Sequence, residues 1–230
     1  MTEAVWARLQ DWTIANHPEH LEAAIDELLG DEPTITPKTG DLLCSYVHLD
    51  RELAGGGTPA ERFAALARLT DDERAAASTL ALARLGLWRV RTVAPGASIA
   101  LEEVFGERVF TVSSANVSRG CARWDVLLAR VLRGADGHEL WGPAVIFTAA
   151  EEEELVAEVE RLAGERSAEP GAVFRACAAE LLRFTPPSRT TPPSFFTFEG
   201  DELVAGQARW VLEDDDAAAA LEAHPDVVYI

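Results

Sequence analysis

At Leu87 the apolar residues of this 230-residue chain stop recurring at helical spacing and begin to alternate. A period of three to four buries one stripe of a helix, whereas a period of two buries one face of a strand. Residues 87 to 148 are therefore expected to form a β-rich centre between helical flanks. Charge changes with the period. The centre carries seven arginines against six acids, residues 1 to 86 carry seven basic against fifteen acidic, and residues 149 to 230 carry six against eighteen. A formal net charge of −19 thus sits on the flanks, which disfavours nonspecific nucleic-acid binding through the whole surface. One lysine, Lys38, stands beside nineteen arginines in an alanine-rich chain. That usage fits a GC-rich genome, so arginine preference by itself is weak evidence for phosphate binding.

The first third has helical patterning. Trp6, Leu9 and Trp12 with Ile14, then Leu21, Ala24, Ile25, Leu28 and Leu29, give two amphipathic helices broken near His17 and Pro18. Leu42, Tyr46, Leu49 and Leu53 share the face of a third, which Gly55, Gly56 and Gly57 stop. Thr58 before Pro59 and Glu61 forms a capping-box pattern for a helix through Leu69. Thr70 or Asp71 caps the next, expected to end at Gly86.

Strands are expected at 87 to 93, 99 to 101, 109 to 112, 125 to 133 and 138 to 148. Gly142 and Pro143 must bend the last of these. The fourth is apolar on both sides, as a central strand or a barrel wall would be. Downstream, residues 149 to 166 and 171 to 184 read as helices, and residues 185 to 193 as a loop. A hairpin around Gly200, a helix capped by one of Asp214, Asp215 and Asp216, and a strand at 227 to 230 complete the chain. The expected fold class is α+β: an amino-terminal helical bundle packed with a small curled antiparallel sheet or barrel, and a carboxy-terminal helix and strand segment. Three regions follow, 1 to 86, 87 to 148 and 149 to 230, within one compact unit or two.

Length and 48% hydrophobic content suffice for a sizeable core. No apolar run reaches the roughly 18 to 20 residues that cross a bilayer, and the start lacks a signal-peptide layout, so cytoplasm is the expected location. Cys44, Cys121 and Cys177 are too scattered for a disulfide framework or a zinc knuckle. His17, His20, His48, His138 and His224 have no zinc spacing. The acids at 151 to 154 and 214 to 216 are explained by helix starts, since consecutive helical carboxylates diverge instead of converging on an ion. No metal or cofactor is expected. Walker, dinucleotide-binding, zinc-helix and nucleophile-elbow motifs do not occur.

The densest polar cluster by local composition runs from Ser113 to Asp125. Arg119 and Arg123 can bind an anion, Asn116 and Ser118 can add hydrogen bonds, and Trp124 can supply an apolar wall. The structural alternative is a turn-rich connector whose tryptophan enters the core and whose arginines face water.

The segments LGLWRVRTVAPG at 85 to 96, IALEEVFG at 99 to 106 and GCARWDVLLARV at 120 to 131 resemble the central module of uncharacterised bacterial proteins often associated with a carboxy-terminal SEC-C motif. The likeness covers mainly residues 80 to 148, and more weakly Phe196 to Leu221. It implies at most an accessory or recognition role. This sequence has no Cys-rich SEC-C tail, so neither zinc nor a secretion partner is carried over.

The expected function is that of a noncatalytic adaptor or regulatory protein, with no catalytic residue assigned, whose central module recognises a protein partner or a small anionic ligand. An enzyme with a Cys121 or carboxylate centre assembled only in the fold is the second class. A weak nucleic-acid-binding module is the third, and it requires a continuous basic surface. Oligomeric state is left open by the sequence.

Overall fold

The computed structural model describes residues 2–30, 37–66, 68–134, 137–186, 194–196 and 202–204. Residues 1–189 form one compact unit, and residues 190–230 a second. Helices α1 (Thr2–Asn16) and α2 (Pro18–Leu29) meet at the break expected there. Pro18 opens α2, a position where its missing N–H costs nothing. Helix α3 (Pro37–Ser45) runs into a π-helical turn, Tyr46–Asp50, whose residues are all buried. Helices α4 (Pro59–Ala64) and α5 (Asp71–Ala81) each start on a complete capping box, Thr58 with Glu61 and Thr70 with Glu73. Helix α4 ends five residues before the Leu69 expected from spacing.

Five strands follow: β1 (Arg84–Ala94), β2 (Ser98–Glu103), β3 (Val109–Ser113), β4 (Val126–Gly134) and β5 (Gly137–Phe147). Strand β1 begins three residues earlier than the alternation suggests and includes Gly86, which is a strand residue and not a helix stop. A short helix, α6 (Ala115–Gly120), crosses from β3 to β4. That crossing places β4 beside β1, and β5 then fits between β4 and β3, so the strand order β1-β2-β3-β5-β4 returns to β1. The expected small curled antiparallel sheet or barrel is corrected at this seam. Strand β3 meets β5 in parallel through a single pair, Val112 opposite His138, so the sheet is mixed and its wall is not an all-antiparallel one. The physical reason is α6: it carries the chain over to β1, and β5 must return along β3 in the same direction.

Two irregularities curl the strands. The β1–β2 register shifts around Arg91, and in β5 the residues between Trp141 and Val145 outnumber those opposite them in β4. The second is the bend required at Gly142 and Pro143. Gly142 has φ 70°, and a Cβ there would lie 2.5 Å from Ser45 Oγ, so glycine permits both the bulge and the close approach of α3.

Strand β4 has the two apolar sides expected of it. Leu127 and Ala129 point into the strands' own interior with Val90, Ile99, Leu101 and Val112. Leu128 and Val126 point outward, where α2, α3 and the carboxy-terminal helices bury them with Leu85, Leu87 and Phe147. These helices are α7 (Glu152–Arg166), α8 (Val173–Ala176) and α9 (Ala178–Arg183). The helix expected over 171 to 184 is thus broken at Cys177. A third cluster joins α1, α4 and α5 through Val5, Leu9, Phe63 and Leu80 to Leu132 of β4. Each fully buried leucine contributes roughly 1.5–3 kcal/mol, which is why a strand apolar on both sides lies at the centre. Among the described residues no helix is long and apolar enough to cross a membrane.

In the second unit, β6 (Ser194–Phe196) pairs antiparallel with β7 (Glu202–Val204), a short hairpin as expected. The expected aspartate cap at 214 to 216 and the strand at 227 to 230 lie outside the described residues.

Candidate functional site

The Ser113 to Asp125 segment separates its candidate residues. Ser114 caps α6 by accepting the Val117 N–H at 3.4 Å. Ser118 is buried and donates to the Ala115 carbonyl, so its hydroxyl is used inside the helix. Asn116 is exposed on the same helix. Arg119 lies over the β1–β2 turn, its guanidinium 3.5 Å from where a Cβ on Gly96 would sit. Arg123 and Trp124 do come together. The chain turns tightly here because the Asp125 carboxylate accepts the Ala122 N–H at 2.7 Å, and Trp124 takes a left-handed φ of 76°. Trp124 is 38% exposed and does not enter the core. The Arg123 and Arg91 guanidinium carbons stand 4.4 and 4.7 Å from its ring centroid. Arg91 was not singled out by the sequence; the β1 bulge supplies it. The indole already serves two cations, and Glu102 pairs with Arg91 at 3.1 Å.

Cys121 packs half-buried against the strand interior. Burial, with the Asp125 charge behind it, pushes its thiol up and away from the nucleophilic thiolate.

The central module, with residues 79 to 86 and 171 to 175, lines a cleft of about 710 Å3. It opens at the end of the strands where β1 begins. There β2 pairs with β1 only from Trp88 onward, so residues 84 to 87 are left uncovered on that side by a strand. One wall is aromatic. Trp88 and Phe110 meet edge to face at 5.2 Å, and Phe110 stacks on His138 at 4.4 Å with 20° between planes. Trp88 is fixed from behind by its indole N–H, which donates to the Ala129 carbonyl at 2.9 Å. Gly86 makes room for it, since a Cβ there would fall 2.8 Å from the indole. Phe105 and Phe174, 6.1 Å apart, also line the cleft.

Four arginines share the lining, Arg84, Arg108, Arg133 and Arg175, with Glu103 the one acid among them. Glu103 holds Arg108 through two hydrogen bonds of 2.6 and 2.7 Å. Glu61, outside the lining, pairs with Arg84 at 3.5 Å and Arg175 at 2.7 Å. Burial alone would raise the Glu61 carboxyl, but hydrogen bonds from Arg175 and the Thr58 N–H hold it below its ordinary value, so it stays ionised. Glu61 and Glu103 together offset two of the four guanidiniums. The Arg175 Nε and Nη2 atoms are buried, Nη2 against Glu61. Glu52 reaches Arg175 Nε only at 4.0 Å. Among the described residues no acid pairs with Arg133, which is exposed.

Buried titratable groups also occupy the helical layer. Arg130 of β4 and Asp50, which ends the π turn, form an ion pair with both side chains at most 1% exposed. The Arg130 Nε donates to Asp50 Oδ2 at 3.0 Å, while Nη1 has no partner. Burial pushes the Asp50 carboxyl up, and the guanidinium opposes that rise. No group of three His, Cys, Asp or Glu residues capable of holding a metal ion occurs among the described residues.

No family model matches the chain, nor does any curated protein or solved structure.

Proposed function

We propose that the chain is a noncatalytic recognition protein, an adaptor or regulator acting in the cytoplasm, whose central module takes a small anionic ligand in the cleft at the start of β1. The observation that carries this reading is the cleft lining: four arginines and His138 against Glu103 alone, in a chain whose net charge is −19. An acidic protein repels anions at long range, so a concave, partly desolvated cluster of guanidiniums is where one would be retained. A volume of about 710 Å3 is the size of a small-molecule site. Arg133, exposed at the cleft, supplies the donors that internal acids leave open among the described residues. The likeness to SEC-C-associated proteins is compatible with recognition and adds no ligand.

Calorimetric titration of the purified chain with pyrophosphate tests the reading. Arg133→Ser is expected to weaken binding about fivefold or more, the cost of one charge-assisted contact. Arg123→Ala is expected to leave it unchanged. Loss with Arg123→Ala and none with Arg133→Ser would move the site to the Trp124 turn and refute the cleft.

A further inference from the structure

Phosphate alone uses only part of this cleft. An anion needs a cation free to receive it, and Arg133 is the cleft arginine that no acid pairs with among the described residues. The walls match a ligand whose body is planar and apolar and whose charge is confined to one end. Phe110, stacked on His138, lines the cleft together with Phe105 and Phe174. Aromatic side chains lining a cleft with cations at its rim satisfy a heteroaromatic base and its phosphate together. We infer that the cleft at the start of β1 is a mononucleotide site, with the base against its aromatic lining and the phosphates on Arg133. This inference rests on the anion-binding reading above and adds the base.

The full chain is titrated calorimetrically with ADP, UDP, ribose 5-phosphate, pyrophosphate and adenosine. At least one of the two nucleotides is expected to bind about tenfold tighter than ribose 5-phosphate and pyrophosphate, the worth of one stacked base. Phe110→Leu keeps an apolar side chain but removes the stack, and it is expected to erase most of that preference while leaving pyrophosphate affinity in place. His138→Ala, at the outer end of the same stack, provides the same comparison if Phe110→Leu lowers the melting temperature. Pyrophosphate or ribose 5-phosphate binding as tightly as both nucleotides overturns the base and leaves the anion site standing. Adenosine binding as tightly as ADP overturns the phosphate contacts and the anion reading with them. No binding by any of the five overturns both.

Discussion

A single arginine decides much of what lies between the strands and the helices. Arg130 occupies a β4 position whose neighbours on the same side, Leu128 and Leu132, are buried leucines, and it survives there because Asp50 meets it. Removing one partner strands the other charge in the interior, so Asp50→Asn is expected to cost about 3 kcal/mol or more in urea unfolding. Replacing both by apolar residues is expected to cost less than that single change. An Asp50→Asn protein as stable as the parent would show that the pair is not needed. Two buried histidines set a second expectation. The His48 Nδ1 lies 2.6 Å from the Cys44 carbonyl, so that nitrogen carries the proton, and Nε2 is buried with no partner. His20 donates from Nε2 to the Val47 carbonyl and accepts from Arg51 at Nδ1, 2.6 Å away. Burial lowers both from the ordinary value of 6.5. The unfolded chain therefore binds these protons first, so their contribution is complete above pH 6.5 and falls away as pH drops below it. Melting midpoints between pH 8 and 5.5 should decline, and His48→Gln should flatten the slope. Relief of the acidic net charge works in the opposite direction, so an equal slope in parent and variant would count against the histidine.

At the scale of elements, caps and turns carry the next expectations. Thr58 is fully buried and closes the capping box of α4 with Glu61, whose carboxylate also holds Arg84 and Arg175 at the cleft. Thr58→Ala is expected to cost about 1–2 kcal/mol. It should also weaken pyrophosphate binding, whereas Thr70→Ala, at the equivalent box of α5, should affect stability alone. Trp124 tests the strained turn. A non-glycine residue at φ 76° carries roughly 1–2 kcal/mol of steric cost, and its exposed cation–π contacts return about 0.5–1 kcal/mol. Trp124→Gly is therefore expected to unfold at higher urea than Trp124→Ala, because only glycine removes the Cβ. Matching midpoints would mean that the turn is not strained.

Across the whole molecule, three clusters of buried side chains share β4, which faces the strand interior on one side and the helices on the other. The cleft opens where this sharing is incomplete, at the stretch of β1 that β2 does not reach. Gly86 keeps it open. Gly86→Ala places a methyl 2.8 Å from the Trp88 indole and drives the ring from its place, so pyrophosphate and nucleotide affinity should both fall even in protein that still melts cooperatively. Unchanged affinity in that variant would show that Trp88 does not shape the site.

Period and punctuation in the sequence determined the kinds of element and their order. The change at Leu87, the two capping boxes, the break at Pro18 and the bend at Gly142 each act through neighbours a few residues apart, so a linear reading contains the physics. The amphipathic faces of α2 and α7 follow for the same reason, whereas α1 buries Val5, Leu9 and Thr13 and leaves the expected Ile14 exposed. Strand order did not, because the single parallel pair of Val112 with His138 depends on where α6 delivers β4. The site did not either. Local composition favoured Arg119, Arg123 and Trp124, which are neighbours in the chain, and the fold brings only the last two together, with Arg91. The cleft draws Arg84, Arg108, Arg133 and Arg175 from four separate places whose convergence no local pattern records. Tertiary structure alone decided that, since whether an arginine faces water, an acid or a cavity depends on which distant side chains the packing sets against it.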